Sequence, residues 1–295
     1  VGTVALPEAK RFGYNERLFL GTLAAGGTLG ILIPPSINMI IYAVLTNSSV
    51  PPLYLAGIVP GIVLVLIFMA TIAGICLLRP AWSGKTLHAT WRMRIAGLVH
   101  LLPPLGIFLL VVGSIYAGVA TPTEAASLGV LGALGLAALS GRLSIAMLRE
   151  AFEGTMRSTA MLMLIVIAAY FLNFVISAIG LTTQLTNFIQ GLGLPKPAML
   201  LAVIVFYVIL GCFMETLSMM ITTIPIIAPV MFALGFDPVW FGILVILLIE
   251  TALVTPPVGI NLFVVQNLRA SGSLNDVIIG TAPFVLALFV MIFLI

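Results

Sequence analysis

Two short stretches gather prolines, glycines and hydroxyl side chains inside otherwise apolar sequence. They are Gly26-Gly27-Thr28-Leu29-Gly30-Ile31-Leu32-Ile33-Pro34-Pro35-Ser36 and Glu250-Thr251-Ala252-Leu253-Val254-Thr255-Pro256-Pro257-Val258-Gly259. A proline pair removes two backbone donors and clashes with the preceding turn, so a helix must unwind there. Inside a bilayer, carbonyls freed in this way are tolerated only where they are buried in protein or line a cavity. Such carbonyls, with Ser and Thr hydroxyls, suit Na⁺ coordination, while exposed half-helix N-termini attract anionic groups. A kink without binding chemistry is the other reading of a single break. Two breaks in matching surroundings weigh against it. Pro103-Pro104 has no such counterpart and reads as a kink.

Two carboxylates fall within apolar segments. Glu215 sits in Gly211-Cys212-Phe213-Met214-Glu215-Thr216-Leu217-Ser218, at the expected tip of a short hairpin, and Glu250 precedes the second break. An ionisable group at membrane depth is a functional-site hypothesis by default. The competing reading is a carboxylate bonded to Thr, Asn or backbone groups that fastens a helix pair. Both readings stand for both residues. Asn173 reads as interhelical glue. Thr121-Pro122-Thr123-Glu124 has the form of a helix start with a capping box. His88 and His100 differ too much in setting to form a metal pair, and Cys76 and Cys212 show neither metal nor disulfide spacing. They read as small core residues. No nucleophile–base pair or HExxH motif is present, which argues against an intramembrane enzyme.

Composition defines the elements that must hold these residues. Of the chain, 62% is hydrophobic and 7% charged, with a mean hydropathy of +1.29. Soluble domains are nearer half apolar and a quarter charged. Apolar runs cover Leu53 to Leu78, Ile95 to Tyr116, Ala125 to Leu139, Thr159 to Ile179, Met199 to Phe213, Trp240 to Val254 and Val277 to Ile295. Most approach the length of a bilayer-spanning helix. The short alternating segments of a β-barrel do not occur. The fold class is all-α and polytopic. The net charge of +3 reflects basic loops at a membrane surface and gives no reason to expect nucleic acid.

The two breaks belong to an internal repeat. Pro7, Gly13, Pro34 and Pro35 match Pro229, Gly235, Pro256 and Pro257 at an offset of 222, and Asn38, Gly57 and Pro60 match Asn261, Gly280 and Pro283 at 223. The loop before the first broken helix carries Lys10, Arg11 and Arg17, whereas its counterpart, Ala233 to Trp240, has no basic residue. The positive-inside rule places the first in the cytoplasm and the second outside, so the two units are inverted. Basic connections around Arg79, Lys85, Arg92 and Arg94, around Arg142, Arg149 and Arg157, and at Arg269 fall on the cytoplasmic side, provided that Pro197 to Ala233 enters and leaves from outside. The reading divides the chain into 1–78, a first repeat with a partial hairpin; 79–158, basic loops and helices, including a surface helix around Arg149; and 159–295, a second repeat with a helix starting at Thr159, an outer hairpin, a broken helix and a last helix. A first hairpin tip is expected before Val1, in a longer polypeptide.

The stretches AAGGTLGILIPPSI, AGIVPGIVLVLIF, GVATPTEAASLG, GFDPVWFGIL and LVTPPVGINLFVV resemble the DctM-like large membrane subunit of tripartite ATP-independent periplasmic (TRAP) transporters, and the likeness covers nearly the whole chain. The resemblance implies an elevator-type permease with inverted repeats, re-entrant hairpins and broken helices in a bacterial or archaeal inner membrane. It implies Na⁺-driven import of organic acids such as C4-dicarboxylates. The implied partners are an extracytoplasmic substrate-binding protein and a small four-helix membrane subunit, separate or fused. Carried over by residue, Gly30, Ile33, Pro34, Pro35 and Ser36 would serve one cation site, and Gly211, Met214, Thr216, Thr255 and Pro256 a second. Thr28, Asn38, Glu215 and Asn261 would lie near substrate. A binding-protein-independent anion carrier of the same superfamily is the nearest alternative, and a channel a more distant one.

Overall fold

The computed structural model describes all residues except 1–4, 7, 8, 10, 86–89, 100, 192–194, 270 and 271. Pro7, Lys10, His88 and His100 therefore lie outside the described residues, as does the side chain of Asn173. The described residues are helical, without strands. In order the helices are α1 (Glu16–Gly26), α2 (Leu29–Leu32), α3 (Ile37–Thr46), α4 (Val50–Leu78), α5 (Trp91–Val99), α6 (Leu102–Tyr116), α7 (Pro122–Leu139), α8 (Ile145–Ala178), α9 (Leu181–Gly191), α10 (Lys196–Gly211), α11 (Thr216–Ala233), α12 (Pro238–Val254), α13 (Ile260–Asn267) and α14 (Leu274–Leu294). Among the described residues, α4, α7, α8, α11 and α14 are long and apolar enough to cross a bilayer. The bent pairs α1–α2 with α3 and α5 with α6 raise the number to as many as seven.

The chain divides into two compact units, residues 1–86 with 171–295, and residues 87–170. In the first, positions 222 apart adopt the same local structure. Gly13 and Gly235 both take positive φ, +68° and +83°, which only glycine adopts without steric cost. Two residues later a polar side chain caps a helix: the Asn15 carboxamide oxygen accepts from the Leu18 amide at 3.1 Å and an Asp237 carboxylate oxygen from the Trp240 amide at 2.8 Å. The interrupted helix that Asn15 starts, α1 with α2, ends at Ile33 and α12 ends at Thr255, both extended, and both following Pro–Pro bonds are cis. A short helix follows each break, then a long one with an internal proline, Pro60 in α4 and Pro283 in α14.

α12 is the centre of this unit. Every residue from Phe241 to Ala252 is buried, and apart from Glu250 and Thr251 the stretch is apolar on every face, as a helix surrounded by others requires. α4, α10, α11 and α14 pack against it. α1 crosses α14 where Gly21 meets Gly280: a methyl added to either glycine would run into the backbone of the other helix. The two arms α10 and α11 are fastened by the Tyr207 and Thr223 hydroxyls, 2.8 Å apart. α10 is too short to cross a bilayer alone, while α11 meets the length criterion despite Pro225 and Pro229.

In the second unit α5 and α6 are bent by 50° just before Pro103-Pro104, and both prolines fall in the first turn of α6, where their missing amides cost no helical bond. α6 packs on α7 through Ile107 and Val111 against Gly132 and Gly129. α7 opens with the expected capping box: Thr121 Oγ1 accepts from the Glu124 amide, and the Glu124 carboxylate accepts from the Thr121 amide at 2.8 Å. One expectation is corrected. The basic stretch to Arg157 and the run from Thr159 are not a surface helix and a separate span but one helix, α8, of 34 residues. Nothing in the stretch breaks it, and the exposed Arg149–Glu153 pair at 2.7 Å supports the charged turns at i,i+4 spacing. At 1.5 Å per residue it is about 50 Å long, well beyond a hydrocarbon core of about 30 Å.

Candidate functional site

Proline chemistry accounts for the first break. With no amide at Pro34 or Pro35, the Gly30 and Ile31 carbonyls lose their helical i+4 donors. Ser36 satisfies one of them: its hydroxyl donates to the Ile31 carbonyl, and its oxygen also accepts from the Met39 amide, capping α3. Among the described residues the Gly30 carbonyl gains no such side chain. Gly26, Gly27 and Gly30 are exposed, and a Cβ at Gly26 or Gly30 would meet nothing within 4 Å, so open space lies against the backbone here. Ile33 spans the break in an extended conformation, Pro34 is buried and Pro35 exposed.

The second break joins the tip of the α10–α11 hairpin. Pro256 and Pro257 deprive the Ala252 and Leu253 carbonyls of their i+4 donors. The Thr255 amide turns back to the Ala252 carbonyl at 3.3 Å, and the Thr255 hydroxyl donates to the Thr251 carbonyl at 2.6 Å. Gly211 lies so close to Ala252 that a Cβ there would overlap the alanine methyl. The next residue, Cys212, points its thiol at the Val208 and Pro256 carbonyls, 3.2 and 3.3 Å away. Met214 closes the turn by donating its amide to the Leu210 carbonyl, and Thr216 begins α11, buried. Gly211, Thr255 and Pro256 are thus brought together, with Met214 and Thr216 on the adjoining turn.

Glu215 is the N-cap of α11. Its carboxylate accepts from the Leu217 and Ser218 amides at 3.0 and 3.1 Å and from the Ser218 hydroxyl at 3.3 Å. This is the backbone-bonded reading of that residue, on an exposed side chain at a helix N-terminus, where the dipole favours a negative group.

Two side-chain bonds connect the breaks to each other. The Thr28 hydroxyl donates to a Glu250 carboxylate oxygen at 2.7 Å, with both residues fully buried, and the separation is 222, the repeat offset itself. Thr28 Oγ1 also lies 2.7 Å from the Ala25 carbonyl at the end of α1, so its single proton is shared between the two acceptors. The second carboxylate oxygen of Glu250 is buried without a partner among the described residues. The Asn261 amide donates to the Ala24 carbonyl at 3.2 Å, joining α13 to α1. Its repeat counterpart Asn38 is buried on α3, which packs against α11, and Tyr42 of α3 donates to the Pro238 carbonyl at 2.7 Å. Thr28 and Asn261 therefore meet the seam between the breaks, while Asn38 lies a turn beyond the first. Glu250 and Cys212 were the residues that sequence reasoning undervalued. The fall of Thr28 and Glu250 on the repeat offset was the available signal for the first; nothing local marked the second.

The fold and the paired breaks define a class: a multi-pass helical membrane protein with interrupted helices facing each other inside one unit. Comparison with known proteins narrows it. A family model described as tripartite ATP-independent periplasmic transporter, DctM component, matches residues 1–295. The chain is 32% identical to the C4-dicarboxylate TRAP transporter large permease protein of Pseudomonas aeruginosa, over 100% of this chain and 69% of that one. It is 32% identical to an ectoine/5-hydroxyectoine TRAP large permease of Ruegeria pomeroyi, over 98% and 67% respectively. With the isethionate TRAP transporter permease of Oleidesulfovibrio alaskensis it shares 31% identity, covering 98% of this chain but 45% of the relative. The chain belongs to the DctM family of TRAP transporter large permease subunits, transport proteins of the inner membrane and not enzymes.

Proposed function

We propose that the chain is the permease of a Na⁺-coupled importer of small organic anions, built from two inverted units and supplied by an extracytoplasmic binding protein. The observation that carries this reading is the pair of Pro–Pro breaks, alike in the preceding cap and the backbone at an offset of 222, each followed by a short helix, and tied through Thr28 and Glu250. Relatives named for C4-dicarboxylates and isethionate support an anionic substrate; the ectoine permease shows that the family's substrates vary.

Na⁺ is cargo here. The Gly30 and Leu253 carbonyls, stripped of helical donors by the prolines, and the hydroxyls of Ser36, Thr216 and Thr255 are hard oxygen donors of the kind a small cation takes. Filling these positions fixes the unwound backbone and the adjoining half-helix N-termini. Those termini, with Asn38 and Asn261 nearby, then attract a substrate carboxylate or sulfonate. The elevator reading has the unit centred on α12 carry both across the bilayer. A small membrane subunit completes the assembly, separate or fused.

Uptake into proteoliposomes holding the whole permease tests the proposal. Uptake should require both an inward Na⁺ gradient and the purified binding protein. Transport of free substrate without the binding protein would favour a binding-protein-independent carrier instead, and uptake indifferent to Na⁺ would overturn the coupling.

A further inference from the structure

A groove of about 270 Å³ lies away from the breaks, between the start of α1, the end of α4 and the connection after α4. Leu18, Phe19 and Thr22 form one wall and Ile72 and Cys76 the other, with Tyr14 and Trp82 at its mouth. The lining is almost wholly apolar, with the polar groups of Asn15 and Ser83 at one end. The mouth is built rather than incidental. The Asn15 amide donates to the Trp82 carbonyl at 3.2 Å and the Lys85 amide to the Phe12 carbonyl at 2.8 Å, fastening two basic segments side by side. Gly84 takes a φ of +73° at this seam, where a Cβ would press on the Phe12 carbonyl and the Tyr14 ring. The Arg79 guanidinium lies over the Trp82 ring, 4.6 Å from its centroid, and Arg11 lies 5.4 Å from that of Phe12. Lys85 is exposed on the same seam, and among the described residues no carboxylate lines the groove. Among the described residues the nearby acidic groups are engaged elsewhere: Glu16 pairs with Arg269 at 2.8 Å and Asp276 with Arg17 at 2.8 Å.

We propose that this groove is a binding site for one anionic phospholipid of the cytoplasmic leaflet, with an acyl chain along α1 and α4 and the phosphate held by Arg79 and Lys85. Charge complementarity selects this occupant. Trp and Tyr at the mouth mark headgroup depth, the cations stand on the rim, and the inner leaflet holds the anionic lipids. An apolar helix from another subunit would fill the groove but bring no counter-charge to Arg79 and Lys85. The proposal rests on the orientation given by the basic loops and is independent of how the breaks bind Na⁺.

Cys76 lies inside the groove and reports on its occupant. The permease complex, in vesicles of phosphatidylcholine alone or mixed with phosphatidylglycerol, is treated with a small maleimide, and Cys76 modification is read by peptide mass. Phosphatidylglycerol should slow the modification several-fold. Replacing Arg79 or Lys85 with Ala should weaken retention about five-fold per cation, the fold-change that corresponds to about 1 kcal/mol. Arg79→Lys, which keeps the charge, should retain protection, separating loss of the site from loss of the fold. Cys76→Phe should fill the groove and abolish co-purification of phosphatidylglycerol while leaving the rim intact. Equal modification in the two kinds of vesicle would overturn the proposal, and so would protection already complete in phosphatidylcholine, which would mean that protein covers the groove.

Discussion

The bond between Thr28 and Glu250 is the sharpest place to perturb this protein. Thr28→Val keeps the shape of the side chain and removes the donor, leaving a fully buried carboxyl group with neither oxygen satisfied. A hydrogen bond to a charged group contributes about 1.5–3 kcal/mol in water-soluble proteins. Between membrane helices the mean is nearer about 0.6 and the maximum about 1.7 kcal/mol, because the unfolded chain in the membrane also finds partners. Complete burial, and a Glu250 carboxylate with no other partner among the described residues, put this pair at the upper end, at about 1–2 kcal/mol. Removing both partners together should be gentler than removing one, since an apolar pair leaves no unpaired group behind. The assay is a double-mutant cycle on the purified permease, with Thr28→Val, Glu250→Leu and their combination, read by reversible unfolding in mixed micelles. The double variant should be more stable than the sum of the single losses by about 1–2 kcal/mol. Additivity within about 0.5 kcal/mol would refute the coupling.

Close backbone approach makes Gly280→Val destabilising by about 1–3 kcal/mol or more, because a Cβ there meets the Arg17 carbonyl; Gly74→Ala, in open space, should change thermal stability by less than about 1 kcal/mol. Thr121→Ala removes the capping box and should cost about 1 kcal/mol, seen as faster amide exchange in the first turn of α7. The Arg269 side chain is 5% exposed while its partner Glu16 is 61% exposed, so the two ends of one ion pair should respond differently. Arg269→Met should lower the unfolding midpoint and loosen the connection before α14, whereas Glu16→Gln should change stability by less than about 1 kcal/mol.

What could be read from the sequence was local or periodic. Proline pairs forbid helical bonding wherever they stand, so both breaks were visible, and so was the capping box at Thr121. At the offset of 222 read from the sequence, the structure has like caps at Asn15 and Asp237 and positive φ at Gly13 and Gly235. The long-range ties were not legible. Cys212 looks like core filling until the fold brings its thiol to the Pro256 carbonyl, 44 residues away. Arg269 reads as a loop charge, but its side chain is only 5% exposed, bonded to Glu16 at the other end of the chain and to the Ser273 carbonyl. Glu215 has two readings, and its carboxylate caps its own helix through the Leu217 and Ser218 amides, a local bond that fastens no helix pair. α8 was divided at the change from charged to apolar sequence, although a change in polarity does not end a helix in which every residue can continue the hydrogen-bond ladder.

The account turns on the claim that the two proline breaks hold the coupling cation. The direct measurement is the Na⁺ concentration that half-saturates substrate uptake by the reconstituted permease with its binding protein, for the parent chain and for two variants. In one, Pro34 and Pro35 are replaced by Ala; in the other, Pro256 and Pro257. Restoring helical amides gives the Gly30 and Leu253 carbonyls internal donors again, so each variant should need several-fold more Na⁺. Uptake in both variants with the parent Na⁺ dependence would contradict the account.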